Sequence, residues 1–425
     1  MCGLALCVRR TPVDPLQIGR RVRFWRTRRG MTQEAFAALM GKSVRWVEEF
    51  EGGRRQADPQ LSIVRLAALR LNITLERLLT DPVDTGCVGE AEIEAVRRAL
   101  YRHDVITGSC DHSSAPPRPV EQLRRSVAHA HLGFQAGHFS QLSSVIPALL
   151  VDTTRAAQHY EGDDQLVSYE LLSLALELTE AAAIKWGDTE LAVVAGHRAV
   201  AAAERSENPV IKASAARRLG EAMTSAGQAA GAAQFVLAAA ERLAPELLRC
   251  GPDGYSVLGM LYLKAAMAAA AAAEADDRNP GQHARRVPDF LGQAEEQAER
   301  LGCDDNRLWT AFGPTNVSLY AVAAHVQLSE GADAVAVASG ISAAAFQNLP
   351  RERRAHLLTD RAHGELQAGL REQAVATLLE AEELAADEVR CRPRTKTLVE
   401  NLQLLGVGCA EGRLRALADR CGLPG

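Results

Sequence analysis

Val44, Arg45, Glu48 and Glu49 are the residues of this 425-residue chain whose types and spacing best suit a specific chemical task. They fall on the outward side of a short helix expected over Val44 to Phe50, and the first turn of such a helix is what a helix-turn-helix offers to the major groove of a duplex. The task is the reading of base edges. Arginine pairs bidentately with guanine, a carboxylate accepts from cytosine N4, and an aliphatic side chain meets the methyl of thymine. Trp46 sits among them in a direction the spacing leaves open.

The stretch that must position these side chains is TQEAFAALMGKSVRWVEEFEGG, residues 32 to 53. Thr32 offers a side-chain oxygen as an N-cap, and Phe36, Leu39 and Met40 recur at helical spacing, so a helix is expected from Gln33 to Met40. Gly41 supplies the left-handed residue that ends a helix cheaply, and Ser43 caps the next one at once. Val47 and Phe50 face inward, and Gly52 and Gly53 stop the second helix.

These residues resemble the phage-repressor and Cro class of DNA-binding domain found across bacterial regulators. The match runs through Thr32, Gln33, Ala37, Gly41, Val47, Glu51 and Gly53 without a gap, and continues into Ile18 to Gly30, Ser62 to Leu71 and Thr74 to Thr80. The resemblance implies a five-helix, lambda-repressor-like domain in which Gln33 and the amides at its helix start clamp a phosphate. It places Val44, Arg45 and Glu49 where base edges are read, and the DNA-binding set it implies is Gln33, Ser43, Val44, Arg45, Trp46, Glu49 and Arg54. Two departures stand out: Glu48 and Glu49 put negative charge beside phosphates, and the place of Trp46 is more often small and polar in the family's phage members. Either the nearby arginines offset that charge, or binding is weak and relies on a dimer.

Charge is divided unevenly along the chain. Residues 16 to 79 carry 13 Lys+Arg against 6 Asp+Glu, a net of +7, whereas residues 80 to 425 carry a net of −13. Arg20, Arg21, Arg23, Arg26, Arg28 and Arg29 crowd the first expected helix, which suits a polyanion, while the acidic remainder argues against nucleic-acid coating along the whole length. With 47% apolar residues, rich in alanine and leucine, and only 4% aromatics, the chain favours helices in close contact over sheets. Nine scattered cysteines without C-x-x-C or zinc-type spacing fit a reducing cytoplasm. No stretch is expected to span a membrane once Gly, Glu and Lys interruptions are counted.

The expected organisation is all-α. A disordered lead-in (1–14) precedes the DNA-binding domain (15–82), followed by a linker (83–119) holding a short helix, Glu90 to Arg102, and the Pro-rich run Gly108 to Pro119. From 120 to 425, helices end at Gly137, Gly187, Gly227, Gly331 and Gly369, with Leu142, Ala192, Ala232, Ala336 and Ala374 five residues later and Ile146, Gly196, Val236, Gly340 and Leu378 nine later. This resembles the tetratricopeptide plan of stacked helix pairs, a TPR-like α-solenoid. A further pair, Tyr255 to Ala275 with Asp289 to Arg300, brings the expected number to six, with Thr395 to Gly422 as a cap.

A second landmark, WTAFGPTNVSLYAVAAH (309–325), together with RERRAHLLTD, is similar to the C-terminal halves of bacterial regulators joined to this DNA-binding class. That resemblance extends to peptide-responsive regulators, so Asn316 is a candidate clamp for an effector, with Trp309, Phe312 and Tyr320 walling a pocket. The competing reading, favoured by spacing alone, makes the aromatics inter-repeat packing and Thr315 a helix cap.

Catalytic motifs are missing. Gly41-Lys42-Ser43 lacks the upstream glycine of a P-loop, His129, His131 and His138 do not share a helix face, and there is no HExxH, GxSxG or dinucleotide fingerprint. Glu382 and Glu383 read as solvated charge. The expectation is therefore a cytoplasmic, non-enzymatic transcriptional regulator with no metal or cofactor, working on double-stranded DNA as a homodimer, with a peptide, small molecule or partner protein as possible effector. The alternative is an interaction scaffold with a vestigial helix-turn-helix.

Overall fold

A computed structural model describes residues 15–28, 31–52, 60–71, 75, 78, 88–102, 116–276 and 278–423. It is all-helical; among the described residues the extended pairing amounts to one isolated bridge between Asp305 and Phe312. The chain divides into two compact units, Met1–Asp84 and Thr85–Gly425. The expected lead-in, Arg54, most of Thr74 to Thr80 and most of the Pro-rich run lie outside the described residues.

In the first unit the helices are Pro15–Arg28, Gln33–Met40, Val44–Glu51 and Leu61–Arg70. Their joints follow from local chemistry. The Thr32 oxygen accepts from the Ala35 amide, Gly41 turns left-handed at φ 63°, and the Ser43 oxygen accepts from the Trp46 amide. Phe36, Ala37, Met40, Val47 and Phe50 fill a core shared with Ile18, Val22 and Val64, and Leu75 and Leu78 pack onto it too. Leu39, expected inward, is 42% exposed. Gly19 is a crossing point: a Cβ there would come 2.1 Å from the Phe50 carbonyl oxygen, so a side chain would prise the first helix off the third.

The second unit begins with Glu90–Leu100, which does not behave as linker. Its Val96 and Leu100 are fully buried in the core formed with Phe139–His159, and Arg97 pairs with Asp188 at 2.5 Å. Six helix pairs follow: Val120–Gln135 with Phe139–His159, Gly162–Trp186 with Thr189–Arg205, Pro209–Ser225 with Ala229–Leu247, Pro252–Ala275 with Arg286–Leu301, Pro314–Gln327 with Gly331–Gly340, and Arg351–Gln367 with Arg371–Leu384. Pro393–Leu405 and Glu411–Arg420 complete the described chain. Such a row of pairs is consistent with a TPR-like solenoid.

Five of the six pairs turn by one device, two crossed backbone bonds closing the first helix around a left-handed residue. Gly137, Gly187, Gly227 and Gly369 hold that position with φ between 79° and 83°. In the fifth pair the turn residue is Ser329, at φ 63°, not Gly331. Its bonds, Ser329 amide to Val326 carbonyl and Glu330 amide to His325 carbonyl, match those around Gly187. Counted from Ser329, the buried positions five and nine residues on are Ala334 and Ala338, whereas the expected Ala336 and Gly340 are exposed. Gly331 serves a different need: a Cβ there would lie 2.4 Å from Cβ of Gln367 and 2.6 Å from the Gly364 carbonyl oxygen.

The row does not end freely, because its first turns meet its last. A Cβ on Gly137 would touch Ala385, one on Gly187 would touch Pro393, and the Ser140 amide donates to Asp387 at 3.0 Å. Lys185 donates to Glu352 and Glu388, both at 2.7 Å, with all three side chains buried. Within the second unit the row of helix pairs therefore closes on itself around a lumen.

Other details differ from the sequence reading. Pro252–Ala275 is long and apolar enough to cross a membrane, yet it is a core helix with 78% of its most apolar window buried. Glu382 is buried and gripped by Arg390 and Arg420, at 2.7 and 2.6 Å. Cys391 is disulfide-bonded, unlike the uniformly reduced set expected.

Candidate functional site

Two places concentrate chemistry, one in each unit. In the first, the exposed first turn of Val44–Glu51 presents Arg45, whose side chain is 85% exposed and pairs with Glu49 at 3.1 Å, one helical turn on. Ser43 is exposed and Val44 half-buried against the core. Trp46 points inward: it is 8% exposed and its ring stacks on Phe50 at 4.8 Å, which removes it from any base edge. Lys42 lies over the outer side of that ring, 5.8 Å from its centroid.

Gln33 is not free to clamp a phosphate in this arrangement. Its amide donates to Glu51 at 3.0 Å, and Glu51 is also gripped by Arg26 through Nε at 2.6 Å and Nη2 at 3.0 Å. Arg26 donates once more, to the Met31 carbonyl, so this guanidinium ties the first helix to the third instead of facing a polyanion. Glu51 keeps the arginine charged: its hydrogen bond outweighs burial and holds the guanidinium above its ordinary value. Arg21 is likewise buried.

In the second unit the lumen is a cavity of about 510 Å³ lined by the first helices of the second to sixth pairs, by Gly187 and Thr189 at the turn of the second pair, and by residues 392 to 394. Its apolar wall includes Ile184, Met267, Leu319, Ala323 and Leu357. Its polar lining falls into two groups. Deep in one, Lys264 donates to Glu221 at 2.8 Å and lies over the Tyr320 ring. Burial opposes the charge of Glu221, but Lys264 and Arg218 outweigh it and hold the carboxyl far below its ordinary value.

The second group is His356, Asp360, Arg392 and Arg394. Arg392 donates to Glu388 at 2.6 Å, and His356 faces Asp360 at 3.4 Å. Burial, reinforced by Arg392, keeps the His356 imidazole neutral by pushing its pKa down. Behind them, burial works against the charges on Glu352 and Glu388, yet Lys185 between them prevails and both carboxyls stay below the usual range.

Of the four effector residues suggested by sequence, Tyr320 alone lines this cavity. Trp309 stacks on His131, ring centroids 4.1 Å apart. Phe312 is fully buried on Gly259, where a Cβ would fall 1.9 Å from its ring. Asn316 is also fully buried and donates to the Met260 sulfur at 3.3 Å. Thr315 does not cap its helix; its amide and hydroxyl both donate to Asp304, at 2.9 and 2.6 Å. The loop is pinned from the first pair, where Gln135 and Asn306 exchange amide hydrogen bonds at 2.9 Å. His131 is a packing residue too: burial pushes its imidazole down to about 3 while its Nε2 lies 3.1 Å from the Leu174 carbonyl.

Sequence reasoning missed the charged lining from Glu221 to Arg394. The arginine pair at 392 and 394, around Pro393, was the available signal. Among the described residues one group has metal-like spacing, His325, Glu330 and Asp333, at the protein surface.

No protein-family model matches the chain, and no curated protein matches it in sequence. Among solved structures, the chain is similar to the apo form of the competence regulator ComR from Streptococcus vestibularis, at 12% identity over 96% of this chain and 99% of that one, with a TM-score of 0.26.

Proposed function

We propose that this chain is a sequence-specific DNA-binding transcriptional regulator of the Cro/C1 helix-turn-helix class, whose helical-repeat body dimerises, senses an effector, or both. The observation that carries the reading is Arg45, exposed on the first turn of a helix capped by Ser43 and reached through the left-handed Gly41. That is the position from which a recognition helix reads the major groove. The arginine-rich composition of residues 16 to 79 supplies the charge that attracts a duplex. The Arg45–Glu49 pair is exposed, and such a pair is worth only about 0–1 kcal/mol, so the guanidinium exchanges it for a guanine at little cost. Val44 and Glu49 flank it. The protein acts in the cytoplasm, without catalysis, as a homodimer on two half-sites about one helical turn apart.

The test is selection of duplexes from a random pool by the full-length chain, followed by titration of the selected site at several salt concentrations. Arg45→Ala is expected to erase preference between selected and scrambled duplexes while weaker, salt-sensitive binding persists. If the wild-type chain enriches no sequence at low salt, the reading fails. A second reading, an interaction scaffold whose helix-turn-helix no longer reads DNA, draws support from the engagement of Gln33 with Glu51 and of Arg45 with Glu49. That outcome of the selection would favour it.

A further inference from the structure

Among the described residues the lysine and arginines that line the lumen are accounted for one by one, and a single one is left without an ion pair. Lys264 is neutralised by Glu221 at 2.8 Å and Arg392 by Glu388 at 2.6 Å. Arg353 lies 3.6 Å from Glu352 and beside the Tyr320 hydroxyl. Arg394 has no hydrogen bond or ion pair among the described residues, although it lines the cavity and burial holds its guanidinium below the ordinary value. The charges of Asp360 and Glu274 reach it and partly offset burial, but neither carboxylate forms an ion pair with it; Asp360 lies 3.4 Å from His356.

An unpaired guanidinium on the wall of a partly apolar cavity costs free energy until an anion meets it. We propose that the lumen binds an amphipathic organic acid with a single carboxylate, held at Arg394, and an apolar body lying against Leu319, Ala323 and Leu357. One free arginine fork matches one carboxylate in a bidentate pair. A phosphate dianion suits the site less well, because Asp360 and Glu221 line the same cavity. A volume of about 510 Å³ belongs to a small molecule.

This inference deepens the effector part of the proposed function and stands apart from the DNA reading, since its test contains no DNA. The full-length protein is titrated calorimetrically with decanoate, decanol and decyltrimethylammonium, three probes that share an apolar body and differ in charge. Decanoate is expected to bind one per chain, about tenfold or more tighter than decanol, with the cation weakest. Arg394→Gln should bring decanoate to the affinity of decanol, and Arg394→Lys should keep part of the preference. Ala271→Phe places a ring in the lumen from a half-buried lining position and should abolish binding of all three probes at an unchanged melting temperature. The proposal is overturned if acid and alcohol bind alike, if Arg394→Gln leaves the preference intact, or if folded Ala271→Phe binds as the parent does. Should Arg394→Gln fail to fold, the charge series on the parent protein and Ala271→Phe decide the matter alone.

Discussion

The buried ion groups of the two units are built to different standards. In the first, Arg26, Glu51 and Gln33 form a saturated set: both carboxylate oxygens accept and the arginine donates three times. In the second, Glu180 accepts no hydrogen bond and has only Arg218 at 3.6 Å, Arg217 donates from neither Nε nor Nη1, and Arg394, on the lumen wall, makes no ion pair among the described residues. Satisfied charge fixes a shape; unsatisfied charge beside a cavity leaves capacity for something that enters. The first unit keeps its chemistry on the outside, at Arg45, while the second turns it inward.

The contrast is broken most directly at Lys185. Lys185→Met leaves Glu352 and Glu388 buried without their shared cation and should lower unfolding free energy by about 3–5 kcal/mol, measured by urea titration. In the parent those two carboxyls are held below their ordinary range, so the stability they contribute is present above the unfolded-state value near pH 4 and is lost as pH falls through the folded-state value. The variant should lose that dependence and narrow its deficit in acid. An unchanged urea midpoint at pH 7 would show that the Lys185 cluster does not hold the second unit together.

The saturated set answers next. Glu51→Ala strands Arg26 and Gln33 in the first unit and should cost that unit about 3 kcal/mol, visible as an earlier unfolding step in near-ultraviolet circular dichroism. At Glu180 the sign reverses. Burial and the neighbouring Glu221 push this carboxyl well above its ordinary value, so its stabilising, protonated form is favoured in acid and stability declines as pH rises from about 4 toward the folded-state value. Glu180→Gln should flatten that decline and gain about 1 kcal/mol at pH 8, read from denaturation curves across pH. The smallest effect is expected at the surface: Arg45→Ala should shift stability by less than about 0.5 kcal/mol, so any loss of DNA selectivity in that variant reports on contact with DNA and not on folding.

What was legible in the sequence was local. Thr32, Gly41 and Ser43 carry their instructions within three or four residues, and the helices they delimit are Gln33–Met40 and Val44–Glu51. Gly137, Gly187, Gly227 and Gly369 were readable for the same reason, since a left-handed residue between helices is most cheaply a glycine. Ser329 was hidden because the crossing at Gln367 claims the nearby glycine for position 331, and serine takes the strained turn. Leu39, expected inward, is exposed, and Trp46, whose direction the spacing left open, turns inward: helical spacing does not say which apolar side chain finds a neighbour, and Phe50 provided one for the indole. Of the cavity, only Tyr320 was foreseen on its wall. Its lining comes from segments between Ile184 and Arg394, and no periodicity relates a lysine at 264 to an arginine at 394.

The clasp between Lys185 and its two glutamates also sets a timetable. Its partners are 167 and 203 residues away along the chain, so the body cannot shut until nearly all of it has been synthesised. An open array of repeats tolerates the trimming of an end unit, each repeat leaning only on its neighbours. Here the sixth pair and the residues just after it are the keystone of an arch, and a ribosome that stalls before Glu388 releases a body whose Lys185 still waits for half of its counter-charge.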